Sequence, residues 1–138
     1  MSHLLKTHLT KLNIKPTPPS TKDGKKKSTR YLDIEFTDEF DQINYLECKT
    51  FNIKNVDTTQ RSFYLSPSED FKVTANAHHF AICYEINVVG RKGKNNIYKC
   101  NSWKILNLEA LQLDVKYEFN SDNAGMYNEK LILAEGKI

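Results

Sequence analysis

The chain of 138 residues contains no apolar run approaching the roughly twenty residues that a membrane-spanning helix requires. That excludes a helical membrane protein. The opening residues, MSHLLKTHLTKLNIKP, lack the continuous apolar stretch of a secretion signal, so an intracellular setting, cytoplasmic or nuclear, is expected. Cysteine is scarce: Cys48, Cys83 and Cys100 form an odd set without metal-like spacing, which points to free thiols in a reducing compartment. No glycine-rich phosphate loop, nucleophile elbow or internal repeat is present. His78 and His79 are adjacent, and neighbouring strand residues point to opposite faces, so the pair is poorly placed to share one ion. Asp38, Glu39 and Asp41 lack the glycine anchor of a calcium loop and read as a solvated acidic turn. The sequence is therefore expected to have no metal site, no cofactor and no catalytic residues.

What is present is an uneven distribution of charge. Residues 1–30 hold seven lysines and Arg30 against Asp23 alone, a net of +7, while residues 31–138 carry a net of −4. Leu5, Leu9 and Leu12 have helical spacing, but Pro16 stops that segment. The following PTPPSTKDGKKKSTR has the composition of a chain that cannot bury a core of its own. These features predict a flexible basic N-terminal arm over 1–30 and a single folded domain over 31–138. Within the body, 33–47 holds six acids and no Lys or Arg, whereas 91–108 holds five cations and no acid. Separation of this kind predicts one negative and one positive edge.

From Tyr31 onward the pattern is β. YLDIEFT alternates apolar and acidic residues, INYLECKTFNI forms a longer run whose alternation slips near Tyr45 and Leu46, and RSFYL and FKVTA make short strands. The slip suggests a bulge of the sort that bends strands around a small barrel. NLEALQLD is the helical candidate, capped by Asn107, and VKYEF and NEKLILAEGKI close the chain as strands. Six to eight strands with one short helix predict an all-β fold, a small barrel rather than a sandwich.

The strongest functional signal lies between His78 and Lys104. HHFAICYEINVV places Phe80, Ile82, Tyr84, Ile86 and Val88 on one face; GRKGKNN supplies turn residues with Arg91, Lys92 and Lys94; and the return arm carries Tyr98, Lys99, Trp103 and Lys104. Phe80 and Tyr84 share the apolar face and are expected in the core. Tyr98, Trp103 and Tyr64 are candidates to stack on bases, with Arg61, Lys72, Arg91, Lys92, Lys94, Lys99 and Lys104 holding phosphates. Lys25, Lys26, Lys27 and Arg30 of the arm would add sequence-independent attraction.

Over roughly residues 43–138 the order of these features resembles an OB-fold domain of the single-stranded-DNA-binding type. The matching pieces are the strand FAICYEINVV, the basic loop GRKGKNN, the tryptophan-bearing strand NIYKCNSWKIL, the segment NLEALQL, and then DVKYEF and EKLILAEGKI. The resemblance implies non-catalytic binding of single-stranded nucleic acid, most naturally DNA in replication, through shape and stacking. The other reading is a structural or assembly protein with a basic arm, such as a small viral shell or complex subunit, acting as a homo-oligomer or within a larger protein assembly. Neither reading involves a membrane.

Overall fold

A computed structural model describes residues 7, 9–12, 14–26, 31–65, 71–115 and 119–138. Among them are eight strands: β1 (Ile34–Thr37), β2 (Ile43–Phe51), β3 (Arg61–Leu65), β4 (His78–Lys92), β5 (Asn95–Asn107), β6 (Asp114–Val115), β7 (Phe119–Asp122) and β8 (Ile132–Lys137). They form a five-stranded sheet in the order β1-β2-β4-β5-β8 and a three-stranded sheet in the order β3-β7-β6. The expected strand-rich fold is present, but the expected closed barrel is not. The larger sheet ends in two separate edges, β1 and β8, and β2 runs parallel to β4. A parallel pair requires a crossover, and here that crossover carries β3.

The slip in alternation near Tyr45 and Leu46 also has another cause. β2 keeps continuous register with both neighbours, so it has no bulge there. It is a central strand covered on both sides, and both parities of its side chains are apolar for that reason. Tyr45 and Phe51 join Ala81, Cys83 and Leu106 beneath Phe63 of β3, Leu131, and Met126 of the short helix α1 (Asn123–Met126). Leu46 and Ile82 instead join Ile34 on the opposite face, with Phe80, Tyr84 and Leu9 packed around them. The placement of Phe80 and Tyr84 in a core agrees with the sequence pattern.

Two predicted elements take other forms. Phe71–Ala75 is not a strand; its chain drapes over β2, and the amides of Thr74 and Ala75 both donate to Tyr45 Oη at 3.1 Å. A side-chain hydroxyl thus replaces the ladder partner that a strand would have needed. The leucine-rich segment makes only a single 3-10 turn, Leu108–Ala110, capped by Asn107, whose side chain accepts from the Glu109 amide at 2.9 Å. Within the body an α-helical turn lies instead in the Asn-, Asp- and Gly-rich stretch read as a loop, where Asp122 Oδ1 caps α1 by accepting from the Gly125 amide at 2.8 Å.

The described part of the basic arm is laid against the body. Thr17 and Glu35 exchange two backbone hydrogen bonds, of 2.7 and 3.0 Å, along the outer edge of β1, and Pro19 and Thr21 are buried. This contact caps an edge that would otherwise present unpaired amides. Gly24, at φ +75°, turns the chain between Ser20 and Lys26.

Candidate active site

The β1–β2 hairpin brings opposite charges onto one spot. Side chains alternate along β2, so Glu47 and Lys49 share a face, and Lys49 Nζ lies 3.1 Å from Glu47 Oε1. The register pairs Ile34 with Leu46, the row before Glu47, and Asp33 directly precedes β1. The regular ladder ends at this row. The Asp33 amide donates to the Leu46 carbonyl at 3.2 Å, and Asp33 Oδ2 accepts the Cys48 amide at 2.9 Å. Asp33 is thereby clamped to β2 from both its backbone and its carboxylate.

Glu47 is held in an unusual state. Burial pushes its pKa above the ordinary carboxylate range, and the neighbouring Asp33 charge pushes the same way, while Lys49 and Lys72 pull it back. Its second oxygen, Oε2, is buried and has no hydrogen-bond partner among the described residues. A buried unpaired carboxylate oxygen costs free energy unless something else coordinates it. Lys72 is itself buried, with its ammonium donating to the carbonyl of Leu32, the residue before Asp33. Burial likewise pushes up the Tyr31 phenol, aided by Glu47, and the Tyr31 hydroxyl lies 2.7 Å from His79 Nδ1. On the strand beside Lys49, the Cys83 thiol is pushed up to about 12 by burial, so it stays a neutral thiol and not a nucleophile.

Lys49 also lines an open cleft of about 400 Å³ whose walls include Asn52, Gln60, Ser62 and Asn123. Phe63 of β3 stands 5.8 Å from its ammonium, across the ring face. Two neighbouring carboxylates can hold a hard cation, and a lysine that both pairs with one of them and lines a polar cleft can bind an anionic group there and offset charge developing on it. Among the described residues no group of three or more His, Cys, Asp and Glu side chains is arranged to hold a metal. Two carboxylates are the set by which magnesium is commonly held, the remaining positions being taken by water and substrate phosphate.

The residues singled out from sequence are dispersed. Arg91, Lys92, Lys94, Tyr98 and Lys99 do stand together, all exposed, at the far end of the β4–β5 hairpin. Trp103 is half-buried with its indole over Gly136 of β8. Lys104 pairs with Glu135 at 3.4 Å. Lys72 is 2% exposed and cannot reach a phosphate on the surface, which corrects the expectation for it. Lys25 and Lys26 are exposed on the N-terminal turn. The side chains of Arg61 and Tyr64, and the whole of Lys27 and Arg30, lie outside the described residues. Asp33, Glu47 and Lys49 disappear when charge is summed over whole stretches. Glu-x-Lys on an alternating strand, with an aspartate at the entry to the preceding strand of a hairpin, is the signal that marks them.

Comparison with known proteins bears on both sets. The model of the type II restriction enzyme MjaV family matches residues 1–130. The type II restriction enzyme MjaV of Methanocaldococcus jannaschii is 37% identical over 143 residues, an alignment covering 98% of this chain and 60% of that protein. The chain thus spans about 60% of the length of the curated relative it matches. No solved structure matches. These matches overturn the OB-fold resemblance, the non-catalytic single-stranded-DNA reading with its tie to replication, and the shell-subunit alternative. The expectation that the chain is not an enzyme falls with them. Among the described residues, no helix is long and apolar enough to cross a membrane.

Proposed function

The chain belongs to the type II restriction enzyme MjaV family, and from that premise we propose that it hydrolyses phosphodiester bonds of duplex DNA at Asp33, Glu47 and Lys49. The observation that carries this reading is that Asp33 Oδ2 accepts the amide of Cys48, the residue between Glu47 and Lys49, at 2.9 Å, with the Lys49 ammonium 3.1 Å from the Glu47 carboxylate.

The residues fit a divalent cation. Glu47 Oε2 is a buried oxygen lacking a partner among the described residues, and Asp33 is fixed beside it by the Cys48 amide. Both are hard oxygen donors. A divalent cation bound by the two would polarise a phosphoryl oxygen and acidify a water. Lys49 has a different task. Held by Glu47 and facing the cleft, its ammonium offsets the negative charge that builds on the phosphoryl oxygens as the bond to the leaving oxygen breaks. Lys72 acts through others: by donating to the Leu32 carbonyl it fixes the backbone leading into Asp33, and its charge helps keep Glu47 ionised. Tyr31 and Cys83 stay neutral and close the floor of the site without exchanging protons.

The test is cleavage of supercoiled plasmid by the purified chain, with magnesium and with chelator. Magnesium-dependent nicking or linearisation is expected, with Asp33→Asn and Lys49→Ala each slowing it by about 100-fold or more, the usual cost of losing one transition-state charge partner. An intact plasmid under every condition, or full activity in Lys49→Ala, would sink the reading.

A further inference from the structure

β4 and β5 outrun the rest of their sheet. β2 pairs with β4 only as far as Glu85, and β8 pairs with β5 only from Ser102. Beyond those points Ile86–Lys92 and Asn95–Cys100 continue alone as a two-stranded ribbon, closed by Gly93 and Lys94. Gly93, at φ +62°, takes the first turn position, the place a two-residue hairpin reserves for a left-handed residue in a type II′ turn. Seven residues at about 3.3 Å each make a projection of about 23 Å.

An isolated two-stranded ribbon has no core of its own, and this one leaves apolar groups in water. Val88, Val89, Ile97 and Tyr98 are 50, 58, 46 and 56% exposed. The surrounding charge is of a single sign: residues 86–100 carry Arg91, Lys92, Lys94 and Lys99 and no acid, on a body whose net charge is negative. The polar side chains are already ordered. Arg91 Nε donates to Asn96 Oδ1 at 3.1 Å, and Asn96 Nδ2 donates to Tyr98 Oη at 3.4 Å. Cross-strand pairing puts Val88 beside Tyr98 and Arg91 beside Asn96, so apolar and hydrogen-bonding groups follow one another along the ribbon.

From these features we infer that the ribbon enters the major groove of the duplex cut at the Asp33–Glu47–Lys49 site. The inference rests on the nuclease reading above and adds the element that grips the substrate. The major groove, about 12 Å wide and about 8.5 Å deep, admits a two-stranded ribbon, whose strands lie about 4.8 Å apart. Lys92, Lys94 and Lys99 meet the phosphates on the groove walls. Arg91 and Asn96 present the donors and acceptor that distinguish base edges, and Val88 and Tyr98 offer apolar contact to thymine methyls. The reach is suitable, because Lys92 lies nine residues beyond Cys83, the row beside Lys49. At about 3.3 Å per residue that is about 30 Å, within one helical turn of about 34 Å. Charge complementarity selects DNA over a second copy of the chain, since two such ribbons would bring eight cations together.

The experiment measures binding of a fluorescent random-sequence duplex by anisotropy across salt concentrations, using the full chain carrying Glu47→Gln so that nothing is cut. The triple variant Lys92→Ala, Lys94→Ala, Lys99→Ala should lower the slope of log affinity against log salt by up to about three, at about 0.9 for each phosphate no longer neutralised. A duplex whose cytosines carry bulky major-groove glucosyl groups should bind at least about tenfold more weakly, whereas a minor-groove drug should leave binding unchanged. An unaltered slope in the triple variant, or competition by the minor-groove drug alone, overturns the ribbon assignment while leaving the nuclease reading intact. Failure of the parent protein to bind any duplex defeats both. Sedimentation of Tyr98→Ser supplies the remaining arm: a shift from dimer to monomer with the salt slope unchanged marks the ribbon as a protein contact and overturns the inference. Circular dichroism of each variant confirms that the fold is retained, because the substituted residues lie beyond the paired sheet.

Discussion

Asp33 Oδ2 accepts the backbone amide of Cys48 at 2.9 Å, so the carboxylate just before β1 is tied to the residue that separates Glu47 from Lys49 on β2. The site is consequently as rigid as the hairpin that carries it, and its electrostatic consequences can be measured.

Glu47→Gln should abolish cleavage and raise the melting temperature by a few degrees at neutral pH. The pKa of Glu47 is raised by burial, so the folded state retains a proton that the unfolded state releases, and stability falls as pH rises from the ordinary carboxylate range through the raised value. The penalty is fully present above that window and absent below it. The variant's advantage should therefore shrink to nothing under acid conditions, where Glu47 is protonated in the folded and unfolded states alike. A variant less stable than the parent at neutral pH would contradict the burial argument.

Cleavage should have an acidic limb lying above the usual carboxylate range, because Glu47 must be ionised to hold a cation. The measurement is single-turnover plasmid cleavage against pH at subsaturating magnesium, where the cation does not itself displace the Glu47 proton. A rate already maximal near the ordinary carboxylate range would count against Glu47 as the titrating group.

Lys72→Met should move that limb to still higher pH and destabilise the protein. The ammonium is buried, donates to Leu32 and draws down the Glu47 pKa, so its removal strips a carbonyl of its donor and Glu47 of a compensating charge. Loss of a buried hydrogen bond from a charged group costs about 1.5–3 kcal/mol, readable by urea denaturation. A shifted limb separates this positioning role from simple destabilisation.

Gly136→Ala should destabilise the β5–β8 edge without touching the site. An added Cβ would stand 2.9 Å from Trp103 Nε1 and 3.1 Å from two ring carbons, and a rigid indole has little room to give. Overpacking of this kind costs about 1–3 kcal/mol. The chain has one tryptophan, so its fluorescence in the variant reports the displacement directly. Cleavage per folded molecule should be unchanged.

Much of the local structure was legible in the residues. Alternation over 34–51 and 78–107 marks the strands, Gly93 marks the turn, and Phe80 and Tyr84 on one parity mark a core face. The failures share a cause. The slip at Tyr45 and Leu46 resembled a bulge because a strand's own sequence does not say whether one side or two are covered. FKVTA alternates like a strand but finds the Tyr45 hydroxyl in place of a ladder.

The sequence by itself determined the strand periodicity, the acid-free hairpin with its basic tip, and the positions of Glu47 and Lys49 on one strand face. These depend on a period of two and on composition, which are properties of neighbouring residues. The tertiary structure alone decided that the Asp33 carboxylate is tied to the Cys48 amide beside Glu47, that Lys72 is buried, and that Tyr98 stays exposed while Trp103 is covered by Gly136. Register and desolvation are set by partners distant in the chain, and the candidate chemistry depends on both.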